Sequence, residues 1–368
     1  MRVEAGAGSP AAERLVAAAG RPASVSGSAR VLVTGATGHL GYNLVAELLE
    51  HGYRVRAGVR DPSDRTRIAP LARHEVEIVP APIDDRRALR AACQDVDGVF
   101  HTAALTRMWA RDPEREIIEP NVRGVENILE AAADAGVKRV VLTSSVSAIG
   151  STAPRERPLT EEQWNESTRT TPYAIAKTRS ERRAWELAAE LDLDMVAVNP
   201  SSLVGPGYFR QTPASWLVEL MVRGYVRGVL PASPAWVDVR DAARAHRLAL
   251  ERDDAHGRYL VSACTMSFGD VVNRLHELDP RIPRVRWPVP MALLRVVAAL
   301  DYVAHVLTGM ERRLTGTILE EFFGQEMHCS AAKAERELGW RPRPFDETLA
   351  DTIAWIRNGR AAHSQPAQ

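Results

Sequence analysis

A tyrosine and a lysine stand four residues apart in the stretch YAIAK, as Tyr173 and Lys177. At this spacing both side chains project from the same face of a helix. A tyrosine with a pKa of about 10 is a poor acid–base catalyst at neutral pH, and a neighbouring ammonium is expected to lower that pKa. The chain has only two other lysines, Lys138 and Lys333, so this spacing rarely arises by chance. The pair predicts proton transfer to or from a substrate oxygen.

Two further residues qualify for the same chemistry. Ser145 ends the apolar stretch RVVLTSS, where a parallel strand would bring it to the ligand-binding edge of a sheet. Its hydroxyl can donate to a substrate carbonyl oxygen. Asn121 opens the helical stretch NVRGVEN, and two roles fit it equally, an N-cap or the holder of a water linked to Lys177. For His101, in VFHTAA, a packing role is favoured over a catalytic one.

A glycine-rich turn, TGATGHLG (34–41), separates an apolar strand from a helical stretch. A dinucleotide pyrophosphate needs backbone N–H groups that approach closely and a helix N-terminus aimed at it. Side chains obstruct that approach, which explains Gly35, Gly38 and Gly41. The spacing is GxxGxxG, which differs from the commoner GxGxxG, so the strand–turn–helix setting carries the prediction.

The end of the second strand indicates which dinucleotide is bound. Arg60 stands there, followed by Arg65 and Arg67, and guanidinium groups suit a ribose 2′-phosphate. Asp61 is the alternative, as an acceptor for a ribose hydroxyl. We therefore expect NADP(H), with NAD as the alternative cofactor. Asp84, after the third strand, is expected to touch the adenine edge.

Apolar strands alternate with helical stretches from residue 30 to residue 200, which predicts a parallel sheet with right-handed crossovers. The predicted strands and helices are 30–35, 39–52, 53–60, 76–83, 86–94, 98–103, 121–136, 139–145, 172–190 and 194–200. After Pro200 frequent prolines shorten the elements. We assign 1–29 to a disordered extension, 30–200 to the dinucleotide-binding domain with a returning segment near 236–262, 201–357 mainly to a substrate-binding cap, and 358–368 to a disordered tail.

Composition excludes several classes of protein. Lys+Arg and Asp+Glu are both 47, so no basic surface for nucleic acid is expected. Three cysteines without CxxC spacing favour a reducing, cytoplasmic location and predict neither disulfides nor a metal site. The longest apolar stretch, 291–309, contains Arg295, Asp301 and His305, which argues against an integral membrane span. A helix packed on the domain or lining the pocket is favoured there, with peripheral membrane contact as the alternative.

Taken in order, the motifs TGATGHLG, VRDP, VFHTAA, NVRGVEN, LTSSVSAIG, YAIAK, VNPSSLVGPG, WVDVRDAARAH and ELGWRPRP resemble the extended short-chain dehydrogenase/reductase family. Within that family the chain looks most like the dihydroflavonol 4-reductase-like group. Segments 105–124 and 330–355 also resemble hopanoid-associated sugar epimerase-like proteins. The resemblance implies a doubly wound α/β Rossmann sheet with a smaller, discontinuous C-terminal substrate cap. A homodimer is a further expectation.

The resemblance also implies residue roles. Ser145, Tyr173 and Lys177 take the catalytic positions, and Arg60 and Arg67 match basic positions of the NADP site. The predicted cofactor contacts are completed by residues beside these motifs: Thr37, His39, Leu40, Ile83, Thr102, Ala103, Ala104, Pro200 and Leu203. The predicted substrate pocket comprises Met108, Trp109, Ser147, Trp164, Tyr208 and Phe209. These pocket segments match no flavonoid pattern, which argues against a plant-type flavonoid.

Three functions remain open from the sequence. The favoured one is a reductase or dehydrogenase that interconverts a ketone or aldehyde and an alcohol on a small hydrophobic substrate. The second is an NAD-dependent nucleotide-sugar epimerase or dehydratase, which recycles its cofactor within one turnover. The third is an NADP-binding sensor without turnover, against which the retained Tyr173–Lys177 pair argues.

Overall fold

The protein is described from a computed structural model that covers residues 29–151 and 155–358. Its strands, in chain order, are β1 Arg30–Thr34, β2 Arg54–Val59, β3 Glu77–Pro80, β4 Gly98–His101, β5 Arg139–Thr143, β6 Met195–Pro200, β7 Ser202–Val204, β8 Ala235–Asp238, β9 Gly257–Val261 and β10 Cys264–Thr265. Its helices are α1 His39–Glu50, α2 Arg65–Ile68, α3 Arg86–Cys93, α4 Glu119–Asp134, α5 Pro172–Glu190, α6 Pro213–Val222, α7 Val239–Glu251, α8 Phe268–Leu278, α9 Met291–Thr308, α10 Gly316–Phe322 and α11 Phe345–Asn358.

A parallel sheet of seven strands lies at the centre, in the order β3-β2-β1-β4-β5-β6-β9. Strand β1 consists of Val31, Leu32 and Val33 between polar ends, and these three side chains are fully buried. Such continuous apolar strands need cover on both faces of the sheet. The strand order reverses between β1 and β4, which opens a crevice at the carboxyl ends of these strands. The predicted α/β Rossmann architecture is confirmed.

Helices cover both faces of this sheet. On one face α1 packs against α7, and Leu44 and Ala242 belong to the same buried cluster. On the other face α3, α4 and α5 pack side by side through Leu89, Ile128 and Ala184. The sheet therefore lies between two helical layers, and its carboxyl edge is held in a fixed position.

A smaller unit follows β6. Strands β7, β8 and β10 form a second sheet, and helices α6, α8 and α11 pack with it around Trp236 and Leu275. The segment near 236–262 was expected to return to the main domain. Its helix α7 and strand β9 do so, whereas β8 pairs with β7 in the smaller sheet. The exact division into domains stays a prediction.

Most element ends differ from the expected ones by one or two residues, and two differences have a clear physical reason. The third strand was expected over 76–83 and ends at Pro80, because Pro80 and Pro82 have no N–H to donate to a neighbouring strand. The helix expected over 121–136 begins at Glu119, after a π-helical turn Glu114–Ile118, and Pro120 suits its first turn. The predicted extension before residue 29 and the tail after residue 358 lie outside the described residues.

Helix α9 differs most from its expectation. By length and composition alone it is apolar enough to cross a bilayer, with a mean hydropathy of 1.5, yet only 11% of its residues are buried. Leu294 and Ala298 are the buried ones, in a cluster with Leu319 of α10. The helix thus packs on the domain along one side only, and the rest of the described chain leaves most of its surface uncovered, so the alternative of peripheral membrane contact stays open.

Candidate active site

The glycine turn between β1 and α1 is as tight as its sequence indicates. Gly35 has a positive φ of +68°, and a Cβ there would lie 2.9 Å from the backbone of Ala103. A Cβ on Gly41 would lie 2.2 Å from the Gly35 carbonyl oxygen, while Gly38 donates its N–H to that same oxygen at 2.9 Å. The turn thus leaves the backbone bare at the N-terminus of α1. This geometry fits a dinucleotide pyrophosphate.

Neighbouring side chains hold this turn in place. The Thr102 hydroxyl donates to the Thr34 carbonyl at 2.7 Å, and the Thr34 hydroxyl bonds Nδ1 of His101 at 2.9 Å. Burial lowers the pKa of His101 to about 3, so the ring stays neutral. His101 therefore fastens β4 to β1, which agrees with the packing role favoured from the sequence.

His39, in the first turn of α1, connects the glycine turn to the loop after β7. Its Nε2 lies 3.2 Å from the Gly205 oxygen and 3.1 Å from the Pro206 oxygen, so we assign the proton to this nitrogen. Burial lowers the pKa of His39 to about 4. Thr37 is half-buried and Leu40 buried beside it, and Leu203 lies half-buried in β7. The structure thus brings together the turn and the VNPSSLVGPG segment that begins near Pro200.

Among the described residues, two of the three arginines after β2, Arg60 and Arg65, form no ion pair, and Arg60 stands at the end of the strand. Arg60 is exposed, and no carboxylate within the described residues pairs with it. Arg67 pairs with Asp64 at 2.7 Å. The Asp61 carboxylate accepts from the Ser63 N–H at 2.8 Å and from its hydroxyl at 2.6 Å. Both bonds end on Oδ1 of Asp61, so they engage one oxygen of the carboxylate that was the alternative ribose acceptor.

The remaining predicted cofactor residues lie at the ends of β3 and β4. Asp84 is exposed, and Ile83 is half-buried against Gly124 of α4, where a Cβ would meet it at 3.0 Å. Ala103 and Ala104 are half-buried just beyond β4. All of these positions border the crevice where the strand order reverses, and their contacts with a cofactor stay predictions.

Ser145, Tyr173 and Lys177 meet beside this crevice. Ser145 follows β5 and precedes the 3-10 turn Val146–Ala148, and its hydroxyl accepts the Ser147 N–H at 3.1 Å. Tyr173 lies in the first turn of α5, where the Thr171 side chain caps the helix. The Ser145 hydroxyl lies close enough to the Tyr173 hydroxyl to lower its pKa. A serine and a tyrosine placed side by side in this way can both contact one substrate oxygen.

The pKa of Tyr173 moves opposite to the expected direction. Burial raises it most and the nearby Glu321 carboxylate raises it further, although the Ser145 hydroxyl lowers it. The lowering expected from Lys177 is therefore wrong for this structure: Lys177 is not among the groups that shift this pKa, and desolvation of the phenolate dominates. Glu321 accepts from the Thr170 hydroxyl at 2.7 Å and from the Thr171 N–H at 2.5 Å, which holds its charge beside the start of α5.

Lys177 reaches back to the sheet one turn later on α5. Its Nζ donates to the Thr143 carbonyl at 2.9 Å. Burial lowers the pKa of Lys177 to about 8, and the carboxylate of Glu181, a further turn along, opposes that shift. The ammonium is therefore charged at neutral pH and close to titrating.

Asn121 is engaged with the backbone on both of its side-chain atoms. Its Oδ1 accepts the Leu105 N–H at 2.9 Å, and its Nδ2 donates to the Leu105 oxygen at 3.1 Å and the Ile117 oxygen at 2.8 Å. The N-cap role is wrong, because α4 begins two residues earlier. Asn121 also lines a small cavity with His101 and Lys177, so the water-holding role stays a prediction.

The predicted pocket residues fall into separate places. Met108 and Trp109 are half-buried in the loop after β4, and the Trp109 ring meets His305 of α9 edge-on at 4.8 Å. Tyr208 and Phe209 join an aromatic cluster with Trp355 of α11. Their contact with a substrate stays a prediction.

The two other predicted pocket residues lie nearer α5. Ser147 is buried, and its carbonyl accepts the Asn165 amide at 2.8 Å. The Trp164 ring lies 3.8 Å from the guanidinium carbon of Arg258. This contact occupies one face of Trp164 in a structural role.

Sequence reasoning missed a buried charged network directly behind Lys177. Glu181 is 1% exposed and accepts from Arg258 Nε at 2.6 Å and Nη2 at 3.1 Å. The Ser144 hydroxyl and the Asn199 amide donate to the same carboxylate. The spacing of Glu181 four residues after Lys177 was a usable signal, whereas no local pattern marks Arg258.

We expect kcat/KM for the reduced cofactor to fall as pH rises through about 8, because Lys177 then loses the proton that gives it charge. Glu181→Gln should move this falling limb to lower pH, because the Glu181 carboxylate raises the pKa of Lys177. Pre-steady-state cofactor binding across pH measures both effects. Glu186→Gln, at an exposed position of the same helix, is the control and should leave the limb in place. If kcat/KM falls at the same pH in Glu181→Gln as in the parent, the fall does not report the ionisation of Lys177.

Comparison with known proteins adds a family and named relatives. The family described as "NAD dependent epimerase/dehydratase family" matches residues 31–262. Sterol demethylase protein B of Methylococcus capsulatus is 33% identical over 336 residues, which cover 89% of this chain and 98% of that protein. Dihydroflavonol 4-reductase of Dianthus caryophyllus is 31% identical, over 87% of this chain and 90% of that protein.

A solved structure has the same fold. The yeast methylglyoxal/isovaleraldehyde reductase, crystallised in complex with NADPH, superposes with a TM-score of 0.71. The alignment covers 90% of this chain and 99% of the yeast protein at 24% identity. At that identity the likeness concerns the fold alone.

Proposed function

The chain belongs to the NAD dependent epimerase/dehydratase family of extended short-chain dehydrogenases/reductases, and on this premise we propose that it is an NADP(H)-dependent reductase. It interconverts a ketone or aldehyde and an alcohol on a small hydrophobic substrate. The observation that carries the proposal is that Ser145 and Tyr173 lie side by side near the bare glycine turn, with Lys177 one turn along the same helix. Reductase names among the relatives support the same reaction class.

Each residue has a definite part in this reaction. When bound, the nicotinamide supplies or accepts the hydride. The Tyr173 hydroxyl gives its proton to the carbonyl oxygen during reduction and recovers it during oxidation. The Ser145 hydroxyl donates to that same oxygen and stabilises its developing charge. Lys177 holds its ammonium next to Thr143 at the end of β5, where it can bond the ribose of the cofactor.

NADP(H) is the proposed cofactor because Arg60 keeps a free guanidinium where the 2′-phosphate would lie. Arg60→Ser should raise KM for NADPH about 10- to 100-fold while KM for NADH changes little, since a charge-assisted hydrogen bond contributes about 1.5–3 kcal/mol. Steady-state kinetics with both cofactors measure the ratio. Arg67→Ser is the comparison, with a smaller effect because Arg67 already pairs with Asp64. Equal losses for NADPH and NADH would contradict the role of Arg60.

The substrate class is proposed from two observations. Sterol demethylase protein B and the dihydroflavonol and cinnamoyl-CoA reductases are named for compounds with extended apolar frames. The loop after β4 carries Met108 and Trp109 beside α9, which provides apolar surface near the crevice. Polycyclic and aryl ketones are therefore the first compounds to screen.

The family also contains nucleotide-sugar epimerases, which makes epimerisation the second candidate. The discriminating experiment supplies the enzyme with NADPH and a panel of apolar ketones and, separately, with NAD and nucleoside-diphosphate sugars. A reductase consumes reduced cofactor in proportion to the alcohol formed. An epimerase converts the sugar with no net change in cofactor. A cofactor sensor would bind NADPH and convert neither panel. A homodimer and a cytoplasmic location stay predictions.

A further inference from the structure

Helix α9 presents an apolar ridge to the outside of the molecule. Its inner side carries Leu294, Ala298, Asp301 and His305 at helical spacing. Roughly opposite lie exposed aliphatic residues at the same spacing: Leu293, Val296, Leu300, Val303 and Leu307. Leu300 is 62% and Leu307 78% exposed. We name these five residues the α9 ridge. Contiguous apolar exposure on this scale marks an interaction surface.

Two exposed aromatic residues that carry a polar group lie on α9 or shortly before it in sequence. Tyr302 lies on the flank of α9 and is 54% exposed, and Trp287, shortly before the helix, is 80% exposed. Rings of this kind prefer the boundary between water and hydrocarbon, because one end is apolar and the other forms hydrogen bonds. The position of Tyr302 on the side of the helix fits a helix that enters an apolar phase only to the depth of the ridge.

The stretch of sequence that contains α9 is predominantly positive. Residues 281–320 contain six arginines against Asp301, Glu311 and Glu320. Asp301 pairs with Arg312 at 3.2 Å, and Glu311 pairs with Arg107 at 2.7 Å. No carboxylate among the described residues pairs with the guanidinium groups of four arginines: Arg284, Arg286, Arg295 and Arg313. Four free guanidiniums against the single free carboxylate of Glu320 favour an anionic partner.

The ridge is held firmly on the protein. Trp109 meets His305 edge-on, and the Asp301 carboxylate accepts the Arg313 N–H at 3.0 Å just after the helix. Leu294 and Ala298 pack on Leu319 of α10. A second copy of the chain on this face would place positive flanks against each other, because a two-fold contact pairs each patch with itself. A partner with an apolar interior and negative charge at its surface avoids this repulsion.

We propose that the α9 ridge, with the arginines around it, docks the protein onto an anionic lipid bilayer, with α9 lying in the plane of the interface. The aliphatic side chains enter the boundary between headgroups and acyl chains, and the free arginines bond lipid phosphates. Arg295 and Tyr302 lie on the flanks of the helix, where their polar ends reach the headgroups. The inference concerns a surface outside the catalytic residues and does not depend on the proposed reaction.

The test is flotation of the full-length protein with vesicles of phosphatidylcholine alone or mixed with phosphatidylglycerol. We expect the protein to float with the mixed vesicles and far less with phosphatidylcholine. Leu300→Glu/Leu307→Glu should reduce binding at least about tenfold, because two charges replace buried aliphatic groups. Arg284→Gln/Arg286→Gln should reduce binding to the mixed vesicles about tenfold. The binding that is left should no longer depend on the content of anionic lipid.

Matched variants control for nonspecific effects. Leu278→Glu places a charge at an exposed leucine of α8, and Arg54→Gln/Arg87→Gln removes two exposed arginines from the dinucleotide-binding half. Both should bind as the parent does, and thermal unfolding checks that every variant is folded. The proposal is overturned if the parent fails to float, or if ridge and control variants bind alike. It is also overturned if sedimentation shows a dimer that Leu300→Glu/Leu307→Glu dissociates, or if alkaline carbonate cannot strip the protein from cell membranes.

Discussion

Tyr173→Phe should lower turnover about 10³-fold and leave the affinity for NADPH within a few-fold of the parent. The change removes one hydroxyl, the group next to Ser145 that we assign as proton donor. General acid–base catalysis by a positioned side chain contributes about 10²- to 10⁴-fold, and phenylalanine cannot supply it. Phenylalanine keeps the ring in place, so the glycine turn and Arg60 should bind cofactor as before.

The measurement is single-turnover oxidation of NADPH by the best ketone from the screen, together with a separate cofactor titration. Ser145→Ala should cost less, about 10²-fold, because it removes one stabilising hydrogen bond and leaves the proton donor. Tyr225→Phe, which alters an exposed tyrosine, is the control. Full activity in Tyr173→Phe would exclude this mechanism whatever the substrate. Loss of cofactor binding together with activity would instead assign Tyr173 to the binding site.

The parts of the site that could be predicted depend on local spacing. Gly35, Gly38 and Gly41 lie within one short turn, and each is needed because a side chain would clash there. The strand–turn–helix pattern is therefore enough to predict them. Tyr173 and Lys177 share one helix face by their spacing alone. The alternation of apolar strands with helical stretches likewise predicted the parallel sheet, because a strand that is buried on both faces is a continuous run of apolar residues.

The parts that could not be predicted depend on contacts between distant segments. Sequence shows the Lys177 charge next to Tyr173, but it shows neither the burial of the phenol nor the Glu321 carboxylate from α10. The direction of the pKa shift was therefore unpredictable. The sequence also shows that α9 is apolar. It does not show that the helix is exposed, because exposure depends on which distant segments pack against it.

The buried pair Arg258–Glu181 illustrates the same limit, and its removal should have the largest effect on stability. Arg258 is 7% exposed and connects β9 to α5 across 77 residues of sequence. Its Nη1 also donates to the carbonyls of Glu161 at 3.0 Å and Gln163 at 2.6 Å. Arg258→Met should lower the free energy of unfolding by about 3–5 kcal/mol, because the Glu181 carboxylate stays buried without its countercharge.

Denaturant unfolding of the single and double variants measures this effect. Arg258→Met/Glu181→Met should be more stable than Arg258→Met alone, because the second change removes the stranded charge rather than another favourable contact. The exposed Arg274–Asp346 pair is the matched control, and Arg274→Met should leave the unfolding midpoint nearly unchanged. Additive losses in the double variant would show that the two residues act separately. A non-additive recovery would show that the buried charge of Glu181 is tolerated only beside Arg258, which would couple the stability of α5 to its contact with β9.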